Sequence, residues 1–232
     1  MNEALHPYEM QLIGYSDYVA LAADKGHQIP NDWAGGRCPV CKRRMSVRSG
    51  HKKDDGHFYH VDSDFCPTKD PSARPYLSKI PTKVDLEAEA RNKKFASEHI
   101  DQIWGRLNEM VPFLDFKEFI LIIEQAKKLR VYGYVNLDPG FLPYVYATLI
   151  NFLPSKSKNK LRKLKFCFFF ESSVKKFDEL WIDRGENSQF SRISYKGTDT
   201  KKVSIYELEK DYLNRGFYPL SQAQKKWVFD KI

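Results

Sequence analysis

The chain has 232 residues, 42% of them hydrophobic and 14% aromatic, and it carries a formal net charge of +8. The composition is that of a globular protein, and the length suffices for one large or two modest domains. The charge fits a polyanionic partner, although a charge of this size also serves simply to keep a protein soluble. The most apolar run, residues 140–154, is too short and too rich in proline to cross a bilayer about 30 Å thick as a helix, which argues against a membrane protein.

Several catalytic motifs are absent from the sequence. It contains no GxxxxGK[ST], GxGxxG, GxSxG or HExxH pattern, which argues against nucleotide hydrolysis, nucleotide cofactors, serine hydrolysis and zinc proteolysis. The first ten residues have neither a basic region nor an uninterrupted apolar segment, so we predict a cytoplasmic protein.

The first part of the chain predicts short elements. Apolar residues between positions 8 and 18 fit either a helix or a strand. From Tyr18 to Ile29 the alternation of apolar and polar residues, with the turn sequence Asp24-Lys25-Gly26, favours a β-hairpin. The glycine pair Gly35-Gly36 then lets the backbone enter a tight turn before the first cysteine.

The stretch that follows is dense in metal-binding side chains. Cys38 and Cys41 have CxxC spacing, His57 and His60 have HxxH spacing, and Cys66 comes shortly after them. Thiolates and imidazoles in this pattern are the donors that tetrahedral zinc selects. The CPVC sequence can form a turn whose backbone amides point at both sulfurs, which places two thiolates on one ion.

Three donors then compete for the two remaining positions. If GHFYHV is a strand, His57 and His60 point to opposite faces and cannot both reach one ion, unless a turn at Tyr59 relaxes this. We favour Cys38, Cys41, His60 and Cys66 as the ligands, with His57 either supporting a ligand or replacing His60 or Cys66. No position is left for water, so the pattern favours a structural zinc site over a catalytic one.

Two other interpretations of these residues stay open. The cysteines and histidines could be ordinary core and surface residues, or two thiols could form a disulfide, which a cytoplasmic location disfavours. Residues 45–56 are predicted to form the hairpin that links the two halves of the site, with HKKDDG as its polar turn.

The order of these motifs resembles the N-terminal region of the competence protein CoiA and its relatives. The resemblance covers residues 15–70 and consists of YVALAADKGHQIP, GGRCPVC, a basic segment with Arg48 and Gly50, GHFYH and DFCP. It implies a strand-turn-strand around Asp24-Lys25-Gly26 and a metal-binding module in a DNA-handling context, such as DNA uptake, a mobile element or phage defence.

CoiA-like proteins continue into a nuclease domain in which paired strands carry an acidic residue and a Glu-x-Lys. This sequence lacks that pair on a buried strand, so the resemblance supports the metal-binding module and its DNA-handling context but not nuclease activity. A diverged metal-dependent nuclease, using carboxylates such as Glu171, Asp178 and Asp183, is kept as an alternative.

A proline-rich passage separates this module from the rest of the chain. Prolines at positions 67, 71, 75 and 81 predict an extended linker, because no helix runs through that spacing. We place a domain boundary near Pro81, which gives a zinc-binding module of residues 1–80 and a domain of residues 81–232, with a sub-boundary near 155–165.

The beginning of the second domain is predicted to be helical. Residues 85–110 fit one long helix or two consecutive helices. Asp115 is predicted to cap the next helix, and Asp138, followed by Pro139, is predicted to cap a third that runs to about Phe152.

The C-terminal part predicts strands and then helices. The strand candidates are FCFFF at 166–170, ELWID at 179–183, FSRISYKG at 190–197 and KKVSIY at 201–206, and helices are predicted at 206–214 and 221–232. Cys167, among phenylalanines, is predicted to be a small core residue. The fold class is therefore α+β, with a small zinc-ribbon-like N-terminal module, a helical middle and a small C-terminal antiparallel sheet with helices.

The most basic segment, residues 156–165, precedes the first of these strands. Mobile lysines before a rigid strand suit contacts with phosphate, or they keep an aggregation-prone strand soluble.

We predict a zinc-binding, nucleic-acid-binding protein without catalysis of its own. The DNA or RNA contacts are assigned to Arg43, Arg44, Arg48, Lys156, Lys158, Lys160, Arg162 and Lys163. The alternative partner is a protein, with the chain acting as an adaptor or effector subunit of a defence complex.

Overall fold

The computed structural model describes residues 1–50, 55–70, 83–155, 162–170, 189–197 and 199–232. The chain forms two compact units. The first unit contains Met1–Ala73 together with Ile193–Ile205, and the second contains Arg74–Arg192 together with Tyr206–Ile232. The predicted boundary near Pro81 lies outside the described residues, as does the candidate strand ELWID.

The predicted α+β class is confirmed. In the described part of the chain the strands are β1 (Glu3–Leu5), β2 (Leu12–Gly14), β3 (Gly36–Arg37), β4 (Arg44–Arg48), β5 (His57–Tyr59), β6 (Lys165–Phe170), β7 (Gln189–Lys196) and β8 (Asp199–Glu207). The helices there are α1 (Tyr15–Asp24), α2 (Leu86–Glu98), α3 (Ile100–Met110), α4 (Phe116–Lys128), α5 (Leu142–Thr148) and α6 (Gln222–Phe229). None of the helices in these ranges has the length and apolarity needed to cross a membrane.

The first unit is built on a five-stranded antiparallel sheet in the order β2-β1-β3-β4-β5. Strands β4 and β5 pair with Val47 opposite Phe58, which confirms the predicted hairpin, although residues 51–54 of its turn lie outside the described ranges. Phe58 also exchanges two backbone hydrogen bonds with Met1, at 2.8 and 2.9 Å, so the chain just before β1 is bonded to the far edge strand. The sheet therefore curls around a core that contains the buried ring of Phe58.

The hairpin predicted from Tyr18 to Ile29 is wrong, because residues 15–24 form helix α1. The sequence Asp24-Lys25-Gly26 ends this helix: the amides of Gly26 and His27 donate to the carbonyls of Ala23 and Ala22, at 2.8 and 3.0 Å. Gly26 has a φ of +84°, which is the left-handed conformation that glycine supplies after a helix. The buried Tyr18 and Ala22 lie one turn apart on the helix and face the core.

The second unit begins with helices whose N-terminal ends follow the predicted signals, although α5 ends at Thr148 and not near Phe152 as predicted. Residues 85–110 form two consecutive helices, α2 and α3, which meet at His99. Asp115 caps α4, and Asp138 caps the short 3-10 helix Pro139–Phe141 that leads into α5. At α4 the Glu118 side chain also accepts a hydrogen bond from the Asp115 amide, which completes a capping box.

The last part of the chain differs from its prediction at one element. Strands β6, β7 and β8 form an antiparallel sheet in that order, which confirms three of the four predicted strands. The helix predicted at 206–214 is wrong: β8 continues to Glu207, and only Asp211–Asn214 form a 3-10 turn. The final helix, α6, is confirmed, and Ser221 caps it in a second capping box.

Candidate metal centre

The first half of the site is a tight turn that follows β3. The amide of Cys38 donates to the carbonyl of Arg43, and the amide of Lys42 donates to the carbonyl of Cys38, both at 2.8 Å. Lys42 has a φ of 61°, and this left-handed residue turns the chain back toward β4. The backbone amide of Arg43, two residues after Cys41, also bonds to the sulfur of Cys41.

The second half of the site comes from the segment after β5. His57 and Tyr59 alternate with Phe58 along the strand, and His60 is the first residue beyond it, where the strand alternation no longer applies. Cys66 begins a turn in which its carbonyl accepts from the amide of Lys69 at 2.9 Å. The segment from β5 to this turn thus delivers an imidazole and a thiol to the same place.

The four predicted ligands are brought together. Their donor atoms all lie within 4.8 Å of one another, and the cluster could hold a metal ion. Sγ of Cys38 is 3.8 Å from Sγ of Cys66, and Sγ of Cys41 is 3.8 Å from Nε2 of His60. Cys38 and Cys66 are fully buried, and all of the chain's cysteines are free thiols, so the disulfide alternative is wrong. His57 is not part of the cluster.

The imidazole of His60 is held between the thiols and a carboxylate. Its Nε2 faces Cys41, while its buried Nδ1 lies 3.7 Å from Oδ2 of Asp62. At this distance the two atoms form no hydrogen bond, but the negative charge of the carboxylate makes the nitrogen that faces a metal more basic. Sequence reasoning did not identify Asp62, although its position two residues after His60 is a usable signal.

Arg43 has a different role from the predicted phosphate contact. Its guanidinium pairs with Asp62 at 3.3 Å and with Asp64 at 2.9 Å. It also donates to the carbonyls of Asp64 and Phe65, at 3.1 and 3.0 Å. Arg43 therefore ties the segment between His60 and Cys66 to the turn that carries the first two cysteines.

The electrostatics of the cluster favour a mixture of charged and neutral ligands when no ion is bound. Hydrogen bonds from Cys38 and Cys66 lower the pKa of Cys41, whereas hydrogen bonds with Cys41 and Cys66 raise the pKa of Cys38. Burial works to lower the pKa of His60, but hydrogen bonds to Cys41 and Cys66 outweigh it and raise this pKa to about 9. A metal ion must therefore displace protons from the ligands as it binds.

Residues far away in the sequence donate hydrogen bonds to the turn that begins at Cys66. The hydroxyl of Thr68 lies 3.2 Å from Sγ of Cys66. The hydroxyl of Thr200 donates to the carbonyl of Thr68 at 2.7 Å, and the hydroxyl of Tyr195 donates to the carbonyl of Pro67 at 2.9 Å. These two side chains belong to the segment Ile193–Ile205 of the first unit. No local sequence signal connects them to the cysteines.

The remaining residues predicted to contact nucleic acid lie in varied environments. Arg44 donates to the carbonyls of Asn31 and Trp33, at 3.0 and 2.9 Å, and the guanidinium of Arg48 lies 5.1 Å from the centre of the Tyr59 ring. Lys163 is exposed. Three predicted nucleic-acid contacts lie outside the described residues: Lys156, Lys158 and Lys160. The same holds for the carboxylates of the nuclease alternative, which are Glu171, Asp178 and Asp183.

Arg162 is the predicted contact that the structure places in the interior. Its side chain is 4% exposed and forms an ion pair with Glu118. It also donates to the carbonyl of Leu153 at 2.7 Å. The guanidinium is thus already occupied inside the second unit, in contrast to the phosphate contact predicted for it. Cys167 is buried as predicted, and its thiol donates to Asn151 at 3.0 Å.

No protein-family model, curated protein or solved structure matches the chain. The geometry of the cluster and of the surfaces around it is therefore the basis for the functional proposals that follow.

Proposed function

We propose that Cys38, Cys41, His60 and Cys66 bind one zinc ion. Three thiols and an imidazole form a common zinc donor set. With zinc–sulfur bonds of about 2.3 Å, two thiolates of a tetrahedral site lie about 3.8 Å apart. The distance between Sγ of Cys38 and Sγ of Cys66 is 3.8 Å, so the sulfurs are already spaced for such an ion.

The proposed ion has a structural role. Four protein donors fill a tetrahedral shell and leave no position for a reactive water, which is the arrangement of structural rather than catalytic zinc. The strands of the first unit are only two to five residues long, apart from the segment that comes from β7 and β8. A small unit of this kind gains much of its folding free energy from its metal.

Metal analysis and chelation test this part of the proposal. We expect one zinc ion per chain after purification, and we expect a chelator to unfold the first unit. Cys66→Ser should lose the ion, whereas Cys167→Ser, which changes a buried thiol outside the cluster, should keep it. Equal zinc content in the two variants, or no zinc binding by the unmodified chain, would contradict the proposed site.

We further propose that the protein binds nucleic acid without catalysis of its own. The observation that carries this proposal is the face of β4 and β5 where the guanidinium of Arg48 lies over the ring of Tyr59, next to His57. A cation combined with aromatic rings is a common surface for nucleic acid. The net charge of +8 supports the same partner, and so does the resemblance to CoiA-like proteins.

The positive charge is unevenly divided between the two units. The residues of the first unit include twelve Lys and Arg against eleven Asp and Glu, and those of the second include twenty-six against nineteen. We therefore assign most of the attraction for phosphate to the second unit, with Lys163 and the neighbouring Lys156, Lys158 and Lys160 as its densest group. The first unit then contributes mainly its ring surfaces.

A salt series with labelled DNA and RNA, single- and double-stranded, tests nucleic-acid binding. Changing Lys156, Lys158, Lys160 and Lys163 to Gln should weaken binding to all sequences alike and flatten its salt dependence. A control with the same change in net charge replaces four exposed lysines elsewhere: Lys25, Lys94, Lys127 and Lys128. No binding by the unmodified chain at low salt would end this proposal.

A second candidate function is docking to a protein partner through the second unit. Trp227 on α6 stacks on Phe116 with the ring centres 6.3 Å apart, yet its side chain is 61% exposed. Tyr218 and Phe229 are also exposed. An exposed tryptophan of this kind is typical of interface anchors. A co-purifying protein that is lost on Trp227→Ala, together with no affinity for nucleic acid, would favour this function over the first.

A further inference from the structure

The first unit contains a cavity of about 530 Å³ directly beside the metal-ligand cluster. Its walls include His57, Tyr59 and His60 from the region of β5, together with Thr68 and Thr200. Cavities of several hundred cubic ångströms are the usual size of small-molecule sites. His60 and Thr68 belong both to this wall and to the surroundings of the proposed ion, so the cavity and the metal centre share side chains.

Two walls of the cavity offer flat surfaces. His57 and Tyr59 lie on the same face of β5, with ring centres 6.3 Å apart, and both are partly exposed. Arg48 is the cross-strand partner of His57, and its guanidinium lies 5.1 Å from the centre of the Tyr59 ring. The guanidinium adds a planar, cationic group beside the tyrosine ring. Planar aromatic ligands stack on surfaces of this kind.

Other groups on the walls can form directional hydrogen bonds. Asn2 carries an amide that both donates and accepts, and the hydroxyl of Thr200, which donates to the carbonyl of Thr68, still has lone pairs that accept. Thr68 supplies a second hydroxyl close to the sulfur of Cys66. The cavity thus combines ring surfaces with donors and acceptors, which is what recognition of a flat heterocycle requires.

The charges around the cavity favour a neutral ligand over a free anion. Lys69, Asp55 and Met1 line it, so its walls carry the ammonium of Lys69, the carboxylate of Asp55 and the N-terminal ammonium, which donates to the carbonyl of Phe58 at 2.9 Å. The ammonium of Lys69 is engaged by the carbonyls of Asp62 and Asp64, at 2.6 and 2.9 Å. A phosphate inside the cavity would therefore lie near the carboxylate of Asp55, while both ammoniums already donate to backbone carbonyls. A neutral base fits better, with its phosphates outside, near the exposed Arg48.

We propose that this cavity binds one unpaired base of single-stranded nucleic acid, stacked against Tyr59. The inference rests on the proposed nucleic-acid binding and specifies where the first unit takes part in it. Because His60 and Thr68 link the wall to the metal centre, removing the ion also dismantles the cavity. The base can belong to a strand or to a free mononucleotide, since both present the same planar, hydrogen-bonding edge.

The test is fluorescence anisotropy of the full-length, zinc-loaded chain with a labelled single-stranded oligonucleotide across a salt series. Tyr59→Ala should weaken binding about tenfold, because it removes one stacked base. It should leave the slope of the salt dependence unchanged, because no phosphate contact is lost. Tyr59→Phe keeps the ring and should bind nearly as the unmodified chain does. Tyr218→Ala, at a side chain that is 94% exposed in the second unit, is the matched control.

The outcomes separate this inference from the function on which it rests. If the unmodified chain binds and Tyr59→Ala binds equally well, the base site is wrong while nucleic-acid binding stands. If the unmodified chain binds no oligonucleotide at any salt concentration, the proposed function fails and the base site fails with it. Zinc content measured on each variant shows whether the first unit is still folded.

A second measurement needs no variant. Photo-crosslinking of the unmodified chain to an oligonucleotide that contains 5-iodouracil, followed by peptide mapping, should place the crosslink on the peptide that contains His57 and Tyr59. Crosslinks confined to peptides of the second unit would overturn the base site. A nucleoside monophosphate that competes for this crosslink identifies a free nucleotide as a ligand of the same cavity, and absence of competition assigns the cavity to strands.

Discussion

Nδ1 of His60 and Oδ2 of Asp62 lie 3.7 Å apart, on the side of the imidazole opposite the nitrogen that faces Cys41. The same carboxylate lies 3.3 Å from Arg43 and 3.6 Å from Lys69. Asp62 thus connects one proposed zinc ligand to two cations that hold the segment between His60 and Cys66. A carboxylate beside a ligating histidine contributes to affinity although it does not touch the metal.

We expect Asp62→Asn to weaken zinc binding by roughly 10- to 100-fold, because the histidine loses the charge that raises its basicity. Competition with a chromophoric chelator measures this change. Asp64→Asn is the matched control, because Asp64 also pairs with Arg43 but its side chain is 75% exposed and it does not pair with His60. Equal affinities in the two variants would show that Asp62 has no special role.

The two histidines should respond differently to removal. His60→Ala removes a proposed ligand, so we expect zinc to be lost at chelator concentrations that the unmodified chain tolerates. His57→Ala changes a residue outside the cluster and should leave the zinc affinity nearly unchanged. Chelator titration followed by near-ultraviolet circular dichroism checks both variants. A larger loss for His57→Ala would mean that His57 is the ligand, which is the other assignment that the HxxH spacing allows.

Zinc affinity should rise with pH from acidic conditions to at least pH 9. When no ion is bound, His60 has a pKa of about 9 and the pKa of Cys38 is raised, so near neutral pH each holds a proton that zinc must displace. Acidification therefore favours the ion-free state, and the contribution of His60 to this dependence ends as the pH rises through 9. Calorimetry in two buffers of different ionisation enthalpy counts the protons released. We expect at least two per ion, and fewer than one would contradict the ligand set.

Arg162 should matter for stability and not for nucleic acid. Its side chain is 4% exposed and pairs with Glu118, so Arg162→Ala leaves a carboxylate without its cation and should destabilise the second unit by about 3–5 kcal/mol. Lys163→Ala, at the exposed neighbouring position, should change stability by less than about 0.5 kcal/mol. Urea unfolding of both variants provides the comparison. Similar small losses in the two would mean that the ion pair contributes little.

Local signals explain which features could be predicted. The spacing of Cys38 and Cys41 acts within a few residues, as do the capping residues Asp115 and Asp138, and the structure places them as predicted. Asp24-Lys25-Gly26 is predicted to be a hairpin turn but ends a helix, because a glycine with positive φ serves both kinds of turn. The packing of helix α1 against the core decided between the two.

Other features depend on contacts that no local pattern reveals. Thr200 bonds to Thr68 across 132 positions of sequence, and the ion pair of Arg162 with Glu118 spans 44. The run of cations predicts a surface position for Arg162, yet the ion pair with the partly buried carboxylate of Glu118 holds it inside. A basic run predicts charge density in the sequence and does not predict which of its members remains available to a partner.

The contribution of Ile193–Ile205 to the first unit has a consequence for synthesis of the protein. The ribosome delivers all four proposed ligands early, by Cys66, but Tyr195 and Thr200 follow only after most of the chain has been made. A nascent chain can therefore capture its ion long before the loop that carries Cys66 receives its last hydrogen bonds. During that interval the loop that carries Cys66 lacks the hydrogen bonds from Tyr195 and Thr200. An N-terminal fragment released by early termination lacks these hydrogen bonds permanently.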